Sequence, residues 1–221
     1  MPATPVYIIC SPRPQVGKTV VARLLTEFLL LKDGEVTAFD INLKEPSLLD
    51  YLPDLTETAD VSDTYGKIAL MDRVIIDDGT AKVIDLGFHA FDEFFTMLHE
   101  IGFIKEAQRR NIAPLVLFLA DIDRTSARAH ETLLRRIPPA NLVTVDNEYV
   151  MRSELPETMA SGRVLPLTAL PTFLRTYIDR LTFSFTSYLR QDQNATSELH
   201  QWIRNKYIAF RELESELIPH R

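Results

Sequence analysis

Cysteine is nearly missing from this chain, with one residue, Cys10, in 221. A single thiol excludes an internal disulfide framework and fits a reducing compartment, so a cytoplasmic setting is expected. A basic excess is missing too. Twenty-four Lys and Arg face 31 Asp and Glu, giving a net charge of −7 and a pI near 5.3, which excludes a global basic field for nucleic acid or anionic lipid. No stretch approaches 18 uncharged apolar residues, and the first ten residues, MPATPVYIIC, carry no basic region before their short apolar run. Neither a membrane span nor an export signal is expected. Internal repeats and low-complexity tracts are also lacking. The five histidines (His89, His99, His130, His200, His220) have no metal-ligand spacing and no neighbouring cysteine, so they read as surface or partly buried side chains.

What is present has an ordinary globular balance, 46% hydrophobic and 25% charged. The length suits one domain over residues 1–221, with 191–221 as a helical appendage. Short β-branched or apolar runs at 6–10, 36–39, 81–86, 114–120, 142–145 and 164–167 predict strands. Between them, apolar positions at helical spacing predict helices over 20–32, 91–101, 104–110 and 125–136, with a helical turn at 47–52 and a helix near 68–74 that feeds a strand at 74–76. Two helices, 172–190 and 197–217, close the chain. Strand and helix alternate, which predicts an α/β fold of three layers: a mostly parallel sheet with helices on both faces. The run PLVLFLA at 114–120 reads as a strand buried on both faces.

The most informative stretch is residues 11–19, SPRPQVGKT, between the first strand and the first helix. Backbone N–H groups at a helix start face an anion, a lysine there reaches outer phosphates, and a threonine hydroxyl can ligate Mg²⁺. Gly17-Lys18-Thr19 supplies the end of the pattern G-x-x-x-x-G-K-[ST], but Pro12 stands where its first glycine belongs. Pro12 and Pro14 also remove two amide donors. Asp40 and Asp85 end predicted strands at the sheet edge where open α/β folds bind ligands, while Asp121 and Asp123 read as a cap for the helix at 125–136.

In these features the chain resembles the ParA/MinD group of deviant-Walker ATPases, whose loop reads K-G-G-x-G-K-[ST]. Aligned on Gly17-Lys18-Thr19, the signature lysine of that group falls on Arg13 and its two loop glycines on Pro14 and Gln15. Its second strand ends in D-x-D, matched by Ala38-Phe39-Asp40, and its later strand ends in an aspartate before a glycine, matched by Asp85-Leu86-Gly87. The resemblance implies a P-loop NTPase-like fold that binds ATP or ADP through Arg13, Pro14, Gln15, Val16, Gly17, Lys18, Thr19 and Val20. It implies Mg²⁺ held by Thr19 with Asp85 in support, and catalysis by Asp40, Lys18 and Arg13, with Asp40 orienting the attacking water. It also implies ATP-dependent pairing of two subunits, in which Arg13 reaches the second nucleotide.

Two alternatives stand beside this reading. One is a non-hydrolysing nucleotide-dependent scaffold that recruits an unknown protein. The other is an ATP-dependent ligase resembling dethiobiotin synthetase, whose loop Val16-Gly17-Lys18-Thr19-Val20 is similar, though residues 40–46 lack the Lys-Pro segment of that enzyme. Leu199, Ile203, Tyr207, Phe210, Leu213 and Leu217 form an apolar stripe with Trp202 beside it. Residues 197–221 hold four basic and four acidic side chains, so the stripe is expected to pack on the domain or a second subunit and not on a membrane. No feature supports DNA binding.

Overall fold

The structure is a computed structural model that describes residues 3–42, 47–151 and 153–217. Lys44 and Pro46 of the segment after the second strand, His220, and the side chain of Leu217 lie outside the described residues. In chain order the strands are β1 (Thr4–Cys10), β2 (Thr37–Asp40), β3 (Thr56–Thr58), β4 (Lys82–Asp85), β5 (Ile112–Leu119), β6 (Leu142–Asn147) and β7 (Arg163–Leu167). The helices are α1 (Lys18–Asp33), α2 (Leu48–Tyr51), α3 (Thr64–Val74), α4 (Phe91–Glu100), α5 (Phe103–Arg109), α6 (Arg124–Arg136), α7 (Glu157–Ala160), α8 (Thr172–Ile178), α9 (Phe185–Leu189) and α10 (Glu198–Leu217).

All seven described strands run parallel in one sheet of order β3-β2-β4-β1-β5-β6-β7. Alternate residues of β1 feed opposite faces: Tyr7 and Ile9 pack with α1, α9 and α10, whereas Val6 and Ile8 pack with α3, α4 and α5. The fold is therefore α/β in three layers, as the alternating pattern predicts. β1, β4 and β5 are buried almost throughout, which explains why their sequences read as apolar runs without alternation.

Gly34 ends α1 in the left-handed region (φ +83°) and donates its N–H to the Leu30 carbonyl at 3.0 Å, the C-terminal cap its position predicts. Asp123 accepts from Thr125 N at 2.6 Å and caps α6. The apolar stripe of α10, from Leu199 through Trp202, Ile203, Tyr207 and Phe210 to Leu213, is buried in the core cluster shared with α1. Among the described residues no helix is long and apolar enough to cross a membrane.

Four local readings are corrected. No strand follows α3, because the chain turns at residues 75–79 before β4. β3, three residues with no apolar alternation, forms because β2 offers its open edge. The helix expected over 172–190 is broken into α8 and α9. Buried Arg23 draws off the carbonyls of Ile178 and Phe183 at 2.9 and 3.2 Å, and Ser184 caps the new helix by accepting from Ser187 N. His130 is fully packed, 3% exposed, against Phe118 and within 3.1 Å of the Thr144 hydroxyl, and burial lowers its pKa.

Candidate functional site

The carboxyl ends of β1, β2 and β4 meet the β1–α1 loop. Within that loop Gln15 (φ +57°) and Gly17 (φ +92°) both take left-handed backbone, a conformation that costs a side-chain-bearing residue about 1 kcal/mol. Val16 between them is 2% exposed and anchors the loop in the core, while Pro14 and Gln15 face solvent. Gly17 is the N-cap of α1, with no side-chain cap on the helix and no acidic residue in its first turn. A 16-residue helix thus opens with its first N–H groups and positive dipole end toward the loop.

Lys18 is 7% exposed and donates from Nζ to the Arg13 carbonyl at 2.8 Å, so the loop folds around its ammonium group. Thr19 donates from Oγ1 to Asp85 Oδ2 at 2.7 Å. Asp85 is 1% exposed, and its Oδ1 has no hydrogen-bond partner among the described residues. Burial pushes the Asp85 carboxyl up to about 7, reinforced by the charge of Asp40 and opposed by the Thr19 hydrogen bond and the Lys18 charge. Asp40 and Asp85 are register partners on neighbouring strands, which places the two carboxyls at the same edge.

Asp40 is fully buried, and both its oxygens are occupied: Oδ1 accepts from Asn42 N at 2.8 Å and Oδ2 from Leu49 N at 3.1 Å. It therefore ties down both ends of the segment after β2. Arg13 turns to the α6 side, with Nε 3.5 Å from Asp121 Oδ2 and Nη2 3.9 Å from Asp123 Oδ2. The sequence predicts both aspartates as helix caps; Asp123 is one, and both also face Arg13. Lys18, Thr19, Asp40 and Asp85 are thus assembled at one edge, with Arg13 directed away from them.

Asn147, at the end of β6, was not singled out in the sequence. Its Nδ2 donates to the Val16 carbonyl at 2.9 Å, its Oδ1 accepts from Tyr149 N at 3.1 Å, and a Cβ on residue 17 would lie 2.8 Å from Nδ2. The side chain therefore holds the loop and fills the space that Gly17 leaves open. The only local signal was an amide residue at a strand end. Beside it lies a shallow crevice with a cavity volume of about 40 Å³, bounded by Gln15, Gly17, Val20, Tyr149, Leu170 and Trp202. Its apolar walls continue into a stack of the Arg175 guanidinium on the Tyr149 ring, 3.4 Å from the centroid.

Among the described residues no group of three or more His, Cys, Asp or Glu side chains is placed to hold a metal ion by itself. Thr19 and the unpartnered Asp85 Oδ1 fit a hard divalent cation that draws its remaining oxygens from phosphates and water. Cys10, fully buried at the end of β1 with its thiol pKa raised by burial, has the character of a packed apolar residue. No protein-family model and no curated protein sequence matches the chain.

Proposed function

We propose that the chain binds ATP or ADP with Mg²⁺ through residues 13–20 and hydrolyses ATP slowly, in the manner of the ParA/MinD positioning and partitioning ATPases its sequence resembles. The observation that carries this reading is the Thr19–Asp85 pair at the uncapped start of α1, with one buried carboxylate oxygen unsatisfied among the described residues. A buried acceptor without a donor costs about 1–3 kcal/mol, and a cation between this edge and a phosphate chain removes that cost.

In this reading the N–H groups of the loop and of the first turn of α1 bind the phosphates. The Lys18 ammonium moves from the Arg13 carbonyl to the outer phosphate oxygens. Thr19 would hold the Mg²⁺, with Asp85 in support. When bound, the cation neutralises charge that develops on the transferring phosphoryl group. Asp40 orients the attacking water, and Val20 with the crevice beside Asn147 and Tyr149 receives the base. Arg13 is the residue that reaches a second subunit, leaving Asp121 and Asp123 to do so.

One observation favours a second reading. Both oxygens of Asp40 already accept backbone N–H groups, and Pro12 and Pro14 offer the phosphates no amide donor. A non-hydrolysing, nucleotide-dependent scaffold fits that arrangement. Phosphate release separates the two: the ATPase reading expects turnover that Asp40→Ala lowers while ATP still binds, and the scaffold reading expects no release from a protein that binds ADP. Sedimentation with Mg²⁺ tests Arg13. ATP is expected to shift monomer to dimer, ADP to leave it unchanged, and Arg13→Ala to abolish the shift.

A further inference from the structure

Residues 172–190 differ in composition from the rest of the chain. These 19 positions hold five aromatic side chains, three arginines and one aspartate, with no lysine and no glutamate, in a protein of net charge −7. Aromatic and Arg enrichment with Lys and Glu depletion is the signature of protein interfaces. Phe183 and Phe185 are buried and Tyr188 is half-buried, whereas Phe173 and Tyr177 are displayed on the surface. Phe173, Tyr177 and Leu181 follow one another at four-residue spacing and are 68%, 37% and 56% exposed. Arg180 lies 5.0 Å from the centroid of the Tyr177 ring, and neither Arg180 nor Arg190 has an acidic partner among the described residues.

The patch stands on a rigid base. Behind it, Arg23 of α1 is 1% exposed, holds the Ile178 and Phe183 carbonyls, and stacks 3.8 Å from the centroid of the Tyr51 ring. Glu27 accepts from the Ser184 hydroxyl at 2.6 Å and from Thr186 N at 2.9 Å. The turn between α8 and α9 is therefore fixed before any partner arrives, which lowers the ordering cost of association.

We propose that the α8–α9 face is a docking surface for another protein, through a segment that is apolar at its centre and acidic at its edges. Phe173, Tyr177 and Leu181 supply the desolvated centre, and Arg180 and Arg190 the rim that meets the acids. Charge selects this occupant over two others. A second copy meeting the face across a two-fold axis would bring arginine onto arginine. An anionic bilayer would repel the −7 chain as a whole, whereas a short acidic segment meets only the local positive field.

The test uses the full chain and a fluorescent synthetic helix of about 18 residues built from Glu, Leu and Trp, read by anisotropy. Saturable binding is expected, weakened at least about tenfold by Phe173→Ser with Leu181→Ser and severalfold by Arg180→Glu. A control helix with Lys in place of Glu is expected not to bind. Thermal melts check that the double variant stays folded, and Arg180→Glu on the exposed rim gives an independent reading. Four results would each overturn the proposal: no binding to the native chain, affinity indifferent to both variants, equal binding of the Lys helix, or loss in the variants only of binding to phosphatidylglycerol vesicles. ADP titration of the same variants is a separate readout, so failure of the docking face and failure of the nucleotide reading are distinguishable.

Discussion

The two ends of the sheet bury charge in opposite ways. At the amino end, Lys82 has a side chain only 4% exposed, yet it donates to the Asp78 carboxylate at 2.7 Å and to the carbonyls of Ile76 and Thr80 at 2.9 and 3.2 Å. On the opposite face of the sheet the Tyr7 hydroxyl donates to Glu214 at 2.7 Å, and Lys32 binds the same carboxylate. At the carboxyl end, Asp85 has among the described residues one partner and one oxygen without a donor, and a second carboxyl stands beside it across the ladder. A buried charge whose donors and acceptors are complete helps hold a fold, whereas one left incomplete costs stability until something binds. The contrast gives the amino edge a structural role and supports the ligand binding proposed for the carboxyl edge.

Removing the complete side of the contrast has the largest expected effect. Lys82→Met strands two carbonyls and is expected to destabilise the protein by about 3 kcal/mol, lowering the melting temperature by roughly 6–12 °C in calorimetry, with ADP affinity unchanged. A variant that melts normally would show that the amino edge contributes little.

Asp85 sharpens the contrast through pH. Its folded-state pKa, raised by burial to about 7, lies above the ordinary carboxylate value. The native state therefore keeps a proton that the unfolded chain has released, and stability falls as pH rises from about 4 to about 7. Asp85→Asn removes the titration. In urea melts its stability relative to the native sequence is expected to increase by about 2 kcal/mol between pH 5 and pH 8. A difference that does not vary with pH would contradict the incomplete carboxylate. Since Mg²⁺ favours the ionised form, nucleotide affinity in the native sequence is expected to rise over the same pH interval.

The smallest effect concerns the loop support. Asn147→Ala frees the Val16 carbonyl and opens space beside Gly17, so ADP is expected to bind about tenfold more weakly in calorimetric titration, a loss of about 1.4 kcal/mol. Unchanged affinity would mean that the loop holds its left-handed residues unaided.

The difference between the edges also explains what the sequence revealed. The apolar runs of β1 and β5 and the Gly17-Lys18-Thr19 tripeptide announce themselves because local composition is enough to specify them. Thr56–Thr58 became a strand only because β2 had an open edge, and the break between α8 and α9 depends on Arg23 and Glu27, more than 150 residues away in the chain. Asn147 acts on the loop across 131 residues, a distance no local pattern records. The paired carboxyls were legible as strand ends. The backbone donors that occupy Asp40, and the Asp121 and Asp123 side chains that draw Arg13 aside, belong to tertiary structure.

The central claim is that the carboxyl edge binds phosphate through Lys18. Isothermal titration of Mg·ADP into the native chain and into Lys18→Ala tests it most directly. The account predicts saturable binding to the native chain and at least about a hundredfold loss in the variant, equivalent to roughly 2.7 kcal/mol, in a protein that melts within a few degrees of the native one. Equal affinity in the two proteins, or no binding by the native chain, would contradict it.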